Sequence, residues 1–447
     1  MKEYDVVVIG GSAAGLTAAI TVRRFYPDKS ILIVRKEEKV LIPCGIPYIY
    51  GTVGSPEKNL IPDASLEKNN IQLLLDQVDE VNRDKKLLGL GSGQQIKFDK
   101  LIIATGSEPV VPPIEGAGKD NVFAVWKDID YLNNVLDQVN QSKNMVIIGG
   151  GFIGMEFADE CRKNRDVNIT IVEMLSNCLA LVFEQELCKQ AEEIIKGSGV
   201  RVLTNEKVEA IVGSDKVEGV KLASGKVIEA DTVIIGIGAK PNSRLAQQAG
   251  IPTNQNGTIR VDRYMQTAAD DIFSAGDCCE KVSFFTQKPS NLMLASIATY
   301  EARIAGANLY KKHRVNEGVI GAFSTVIGDA ALARAGMSVK EATENGYDIV
   351  TGTAEGPNRH PGCMPGGRNL RVSLIFEKGS SIILGGQVLG AKSGGELINL
   401  ISGCISQKMT ADQISTFQMG THPALTASPV AYQMSNAAEM AVKKLKG

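Results

Sequence analysis

One tryptophan, three histidines and an aromatic content of 5% in 447 residues leave little of the ring surface that fills an all-β sandwich. A net excess of either charge is missing as well: 48 basic residues face 50 acidic ones, so no electrostatic footprint for nucleic acid, anionic lipid or an acidic docking partner stands out. No segment is long and apolar enough to span a bilayer, and Met1-Lys2-Glu3-Tyr4 runs straight into a strand-like 6–9, leaving no room for a signal peptide. The eight cysteines lack metal-ligand spacing, and the adjacent pair Cys278-Cys279 is geometrically poor for a disulfide. A reducing, cytoplasmic location without a metal centre is expected. Cys161, Cys178, Cys188, Cys363 and Cys404 are each expected to serve as a small buried hydrophobe.

Glycine is abundant, with 46 residues, and its placement carries the fold. Residues 5–9 form a short apolar run that ends in Gly10-Gly11-Ser12-Ala13-Ala14-Gly15, followed by a helical pattern through Arg24 and a second strand at 31–34. The same order recurs at 145–148, Gly149-Gly150-Gly151-Phe152-Ile153-Gly154, a helix, and a strand at 169–172. This is a duplicated βαβ unit. From about 319 the character changes: strand-like 369–376 and 382–388 and helix-like 396–407 and 429–444 contain no nucleotide-type glycine loop, which marks a separate C-terminal domain.

A glycine turn between a buried strand and a helix lets backbone N–H groups approach a pyrophosphate at the positive helix end. Gly149, Gly151 and Gly154 complete that pattern, and Glu173 stands 19 residues beyond, where a carboxylate can bond an adenosine ribose and repel a 2′-phosphate. The second loop therefore points to NAD rather than NADP. In the first loop Ser12 replaces the middle glycine, and Arg35 ends the second strand, with Glu37 and Glu38 the nearest carboxylates.

Taken together, these motifs resemble the pyridine nucleotide–disulfide oxidoreductase family. The likeness rests on both loops, on Ala104-Thr105-Gly106-Ser107-x-Pro109, on Gly236-x-Gly238-x-x-Pro241-Asn242, and on Ile272-Phe273-Ser274-Ala275-Gly276-Asp277. It implies an α/β fold with two Rossmann-like dinucleotide-binding domains, for FAD and NAD, and an α+β C-terminal dimerisation domain. The implied boundaries are 1–112 and 245–322 for FAD, 113–244 for NAD and 323–447 for dimerisation. The resemblance implies FAD contacts at Gly10, Ser12, Ala13, Ala14, Gly15, Glu37, Pro43, Val78, Ala104, Thr105, Gly106, Asp277 and Ala295, with Asp277 on the ribityl chain. Gly149, Gly151, Phe152, Ile153, Gly154, Glu173 and Gly238 are the implied NAD contacts.

Within that family the redox cysteine selects the branch. Pro43-Cys44-Gly45-Ile46-Pro47 offers one thiol, so its oxidised form is a sulfenic acid, a mixed disulfide or a persulfide. The pattern resembles the single-cysteine members: coenzyme A disulfide reductases, NADH-dependent sulfur and persulfide reductases, and NADH oxidases and peroxidases. Ala13 stands where the oxidases and peroxidases usually carry a histidine, which favours sulfur reduction. Arg23 and Arg24 match paired basic residues used for coenzyme A phosphates, making coenzyme A a candidate ligand. His360-Pro361-Gly362 and Thr421-His422-Pro423 replace the family's tyrosine motifs. The resemblance places His360 and His422 at an active site shared across a homodimer, as acid–base groups for thiol chemistry. In the mechanism expected, NADH stacks on the flavin after Phe152 swings aside, and a Cys44 mixed disulfide or persulfide is reduced on the other side. The alternatives are an NADH oxidase or peroxidase acting through a Cys44 sulfenate, and an electron-transfer reductase for a small iron protein.

Overall fold

The computed structural model describes all 447 residues, and the chain divides into two compact units made of discontinuous stretches. The first holds Met1–Pro112, Ala124–Gln141 and Gly238–Val319; the second holds Pro113–Phe123, Ser142–Ile237 and Ile320–Gly447. The opening stretch of the first unit ends at Pro112. The helix Ile129–Gln141 belongs with the first unit, where Asn133 donates to Glu57 at 2.7 Å. The return begins at 238 rather than 245 because Ala239–Pro241 pairs with Ser107–Pro109 and the Thr105 hydroxyl donates to the Asn242 carbonyl at 2.5 Å.

In the first unit a parallel core runs in the order Gln72–Leu75, Ile31–Arg35, Lys2–Ile9 and Gln95–Ile103, with Ile272–Ser274 also paired to the last of these. Val6, Val7, Val8, Ile33, Leu101 and Ile102 are all fully buried. Such unbroken apolar runs are what a sheet covered on both faces requires. The helix Ala13–Phe25 packs beside Ala295–Asn308 through alanine faces: Ala14, Ala18 and Ala19 on one, Ala298, Ala302 and Ala305 on the other.

The second unit repeats the parallel core as Thr232–Ile235, Asn144–Ile148, Asn168–Val172 and Arg201–Leu203. It also holds an antiparallel sheet in the order Ala322–Ile327, Ala330–Gly336, Ile383–Gly390, Asn369–Glu377 and Ile349–Pro357. Two of these strands and the helices Gly394–Ser406 and Gln433–Lys446 lie close to where the sequence puts them. The last helix starts later than 429 because Pro429–Ala431 forms a separate tight turn. No helix of the chain is long and apolar enough to cross a membrane.

On the helix Phe152–Arg162, Glu156 accepts a hydrogen bond from the Thr325 hydroxyl at 2.7 Å. Burial pushes its carboxyl up to about 7, with Glu160 and Asp159 adding to the rise and the Thr325 bond opposing it. A folded-state value above the unfolded one means that the associated stability is whole at acid pH and is lost as pH rises through about 7. Glu156→Gln is therefore expected to stabilise the chain at about pH 8, by about 2 kcal/mol, and to change little at about pH 4.5, as read from urea unfolding at the two pH values.

Candidate functional site

In the first loop, Gly10 adopts φ +105°, and a Cβ on it would lie 2.3 Å from the Ala104 carbonyl oxygen. A Cβ on Gly15 would lie 1.9 Å from the Gly10 carbonyl oxygen. The helix N-terminus is thus pressed against the strand end, and the Ser12 side chain makes no capping bond to it. The first-turn N–H groups stay available to an anion. Ala104, Thr105 and Gly106 follow the neighbouring strand, and the Ser107 hydroxyl donates to Asp277 at 2.7 Å. FAD fits this set: a cradle whose Gly10 and Gly15 positions admit no side chain, an open helix end for pyrophosphate, and a positioned carboxylate for hydroxyls. Val78 has its side chain in the core, so it offers a ligand only its backbone.

Arg35, where a ribose-binding acid is usual, is buried and turned inward. Its guanidinium grips Asp63 through both oxygens, at 2.6 and 2.7 Å, and holds the carbonyls of Glu37 and Glu38 at 2.8 Å each. Its stem passes under Gly11, where a Cβ would meet it at 2.4 Å. Glu37 is half-buried and Glu38 exposed.

Cys44 is exposed on the short turn Pro43–Gly45. Buried Leu41 and Ile46 anchor the chain on either side. Buried Asn59, which the sequence did not single out, completes the support: its amide donates to the Ile42 carbonyl at 3.0 Å, and its oxygen sits where a Gly45 Cβ would be, 2.0 Å away. In the same unit Cys278 and Cys279 are buried, bonded to Ser274 and Ile103 and to Glu301 respectively.

In the second unit the loop repeats the first. Gly149 has φ +102°, and a Cβ on Gly154 would lie 1.9 Å from the Gly149 carbonyl oxygen. Gly151 caps the helix without a side chain, and a Cβ there would meet nothing, which accounts for the serine at the matching position 12. Glu173 is held by two backbone N–H groups, from Gly150 and Leu175, each at 2.7 Å. A ribose 2′-phosphate at this strand end would face that fixed negative charge. Phe152 stacks on Phe323 with ring centres 5.9 Å apart and meets the edge of Phe183 at 5.9 Å, while Ile153 is half-buried. Gly238, grouped with these by sequence, lies in the first unit instead, its carbonyl accepting from Val110.

His360 and His422 lie on two joined loops, since the His360 N–H donates to the Pro423 carbonyl at 3.2 Å. His360 Nδ1 is 3.1 Å from the Thr426 carbonyl, which only accepts, so Nδ1 carries the proton and Nε2 of the neutral ring is an acceptor. His422 Nδ1 accepts from the Ala424 N–H at 3.2 Å, so its Nε2 carries the proton. The two rings are held in opposite tautomers. Cys363, expected to be buried, is exposed in the His360 loop, where no element packs over it.

Arg23 is not presented to a ligand. Its guanidinium bonds four carbonyls, those of Asn69, Pro27, Lys29 and Asn70, at 2.6 to 2.9 Å, tying the helix end to two loops. Arg24 alone is exposed. Nearby, Arg314 covers the Phe25 ring at 4.9 Å and His313 meets its edge at 5.2 Å, within the exposed run Lys311-Lys312-His313-Arg314. This cationic patch was invisible in the even overall charge.

Residues 4–302 match the family described as pyridine nucleotide-disulphide oxidoreductase, and residues 322–431 match its dimerisation domain. An NADH oxidase of Methanocaldococcus jannaschii is 30% identical over 98% of this chain and 99% of its own length. A NAD(P)H coenzyme A polysulfide/persulfide reductase of Pyrococcus horikoshii is 32% identical, covering 88% of both chains. Among solved structures, a NAD-dependent persulfide reductase from A. fulgidus superposes with a TM-score of 0.90 at 32% identity, covering 99% of this chain and 84% of that one.

Glu173→Ala removes the fixed charge while leaving the loop glycines in place. The ratio of kcat/KM for NADH over NADPH is expected to fall at least about tenfold, a loss of about 1.4 kcal/mol of discrimination, measured by steady-state oxidation of each nucleotide.

Proposed function

The chain belongs to the pyridine nucleotide-disulphide oxidoreductase family, and from that membership we propose that it is an FAD- and NADH-dependent reductase of a small disulfide, persulfide or polysulfide, in the manner of a coenzyme A disulfide reductase. The observation that carries this reading is Cys44: exposed on its turn, while the other two cysteines of its unit are buried. That arrangement favours a bond between Cys44 and an outside sulfur over an internal disulfide.

The Cys44 thiolate attacks one sulfur of the acceptor, the acceptor's S–S bond breaks, and one thiolate leaves. Cys44 is left as a mixed disulfide or persulfide. When bound, FAD supplies the two-electron link between NADH and sulfur. Two electrons per turnover restore the thiolate and release the second thiol or sulfide. His422 of a second subunit, with its N–H on Nε2, suits a hydrogen bond to the leaving thiolate, which takes its proton from solvent; His360, with Nε2 as acceptor, suits removal of the proton from the Cys44 thiol before it attacks. Gly10, Gly15, Asp277 and the backbone of 104–106 hold FAD, and Gly149, Gly154 and Glu173 hold NADH. Exposed Arg24 and Arg314, the latter over the Phe25 ring, support a coenzyme A moiety on the acceptor.

A second reading, an NADH oxidase acting through a Cys44 sulfenate, draws support from the name of the M. jannaschii relative. Against it stands Ala13, which gives the loop no group to move peroxide protons. Cys44→Ser is expected to lower turnover with coenzyme A disulfide, polysulfide or persulfide more than about 100-fold while NADH still reduces the bound flavin under anaerobic stopped flow. Unchanged turnover with every sulfur acceptor rules the cysteine mechanism out; oxygen or peroxide outpacing all of them favours the oxidase. Arg24→Glu combined with Arg314→Glu is expected to raise KM for coenzyme A disulfide about tenfold and to leave KM for a disulfide without phosphates unchanged.

A further inference from the structure

Behind the Asp277 turn lies a group of ionisable side chains that the chemistry above does not use. Glu301, on the helix Ala295–Asn308, is 0% exposed, and Lys281 is 4% exposed. Glu301 Oε2 accepts the Gly276 N–H at 2.9 Å and lies 3.6 Å from Lys281 Nζ and 3.5 Å from Cys279 Sγ. Lys281 Nζ donates to the carbonyls of Gly276 and Cys279, at 2.8 and 3.0 Å. The other carboxylate oxygen, Oε1, has no hydrogen-bond partner.

A buried ion pair is a poor source of global stability, because desolvation offsets most of the attraction, and a bare oxygen adds a further cost. Apolar side chains of the same volume would serve packing as well or better. What the pair accomplishes is local. Between them the two charges hold an N–H and two carbonyls on either side of Asp277, while Ser107 holds the Asp277 carboxylate from the front.

We propose that Glu301 and Lys281 are positioning residues for the cofactor, forming a charge clamp that fixes the Gly276–Cys279 turn so that Asp277 meets the ribityl hydroxyls of FAD. The inference rests on the FAD part of the proposed function and is independent of the sulfur acceptor. Burial pushes the Glu301 carboxyl up to about 7, with Lys281 and the Gly276 N–H opposing the rise. The groups facing it are Lys281 and Cys279; Asp277 and Cys278 act on Lys281, and Tyr300 precedes it on the helix. The neighbouring helix Ala13–Phe25 brings only Ala14, Gly15, Ala18, Ala19, Thr21 and Val22 to its buried face. Only the ionised carboxylate pairs fully with Lys281, so a ligand that needs the turn in order binds the ionised form better. Its affinity then falls as pH drops through neutrality.

The test is titration of the FAD-stripped full chain with FAD, followed by quenching of flavin fluorescence at about pH 6, 7 and 8. The parent is expected to weaken several-fold from the highest to the lowest pH. Glu301→Gln is expected to bind about tenfold more weakly at the highest pH and to lose the pH dependence, while Glu301→Asp, which keeps the charge, retains it. Infrared titration of the chain without FAD should show carboxyl deprotonation near neutrality from both Glu156 and Glu301, with the Glu301 share missing from Glu301→Gln. Glu301→Gln matching the parent in affinity and pH dependence overturns the clamp; a parent that binds no FAD overturns the cofactor assignment instead. Should circular dichroism show Glu301→Gln unfolded, Lys281→Met discharges the same clamp from the other side and carries the same expectation.

Discussion

Gly15 lies so close to Gly10 that no methyl group fits between them, and the same holds for Gly154 and Gly149. That contact presses a helix N-terminus onto the end of a parallel strand and leaves its N–H groups facing outward without a side-chain cap. Everything else in the two nucleotide sites depends on it. A Cβ at either position would push the helix away and remove the anion site along with the packing. The two loops share this backbone and part company at the end of the next strand. There Glu173 bonds back to its own loop through Gly150. Arg35, at the matching place, passes beneath Gly11 and draws in Asp63. One duplicated scaffold thus presents a negative charge in one site and a neutralised cation in the other, which is the physical basis for binding two different dinucleotides.

What the sequence made legible was whatever depends on backbone proximity. The glycine loops, the apolar strands beside them and Glu173 all follow from local order along the chain. The strand Ala330–Gly336 did not, because its alanine- and glycine-rich sequence carries weak strand preference and is organised by the sheet it joins. Arg23 was misread for a related reason. A pair of arginines at a helix end looks like a solvated cationic site, and the four carbonyls that occupy Arg23 come in part from Asn69 and Asn70, 46 and 47 residues away. Asn59 and Lys281 carried no signal either, since a buried polar side chain is defined by partners that only the fold supplies.

Sulfur chemistry inside a protein with eight cysteines requires that the wrong thiols stay silent. Burial does this here. It pushes Cys161 and Cys178 up to about 12 and Cys188 to about 11, and raises Cys279 and Cys404 as well. A thiol displaced that far holds almost no thiolate at neutral pH, and the thiolate is the form that attacks sulfur. Cys178 is also packed beneath the NAD loop, where a Cβ on Gly150 would meet its sulfur at 2.5 Å, so an adduct there would distort the site. Cys278 is buried as well, and two thiols are exposed, Cys44 and Cys363. They differ in what holds them: Cys44 stands on a turn fixed by Asn59 between two buried anchors, whereas Cys363 stands on an exposed glycine- and proline-rich loop. Reaction with a small disulfide requires a sulfur held in line with the S–S bond it attacks, and the supported turn favours Cys44 over Cys363 for the proposed reaction. Selectivity among the eight cysteines is therefore a property of packing around them, achieved without any chemical difference between the residues themselves.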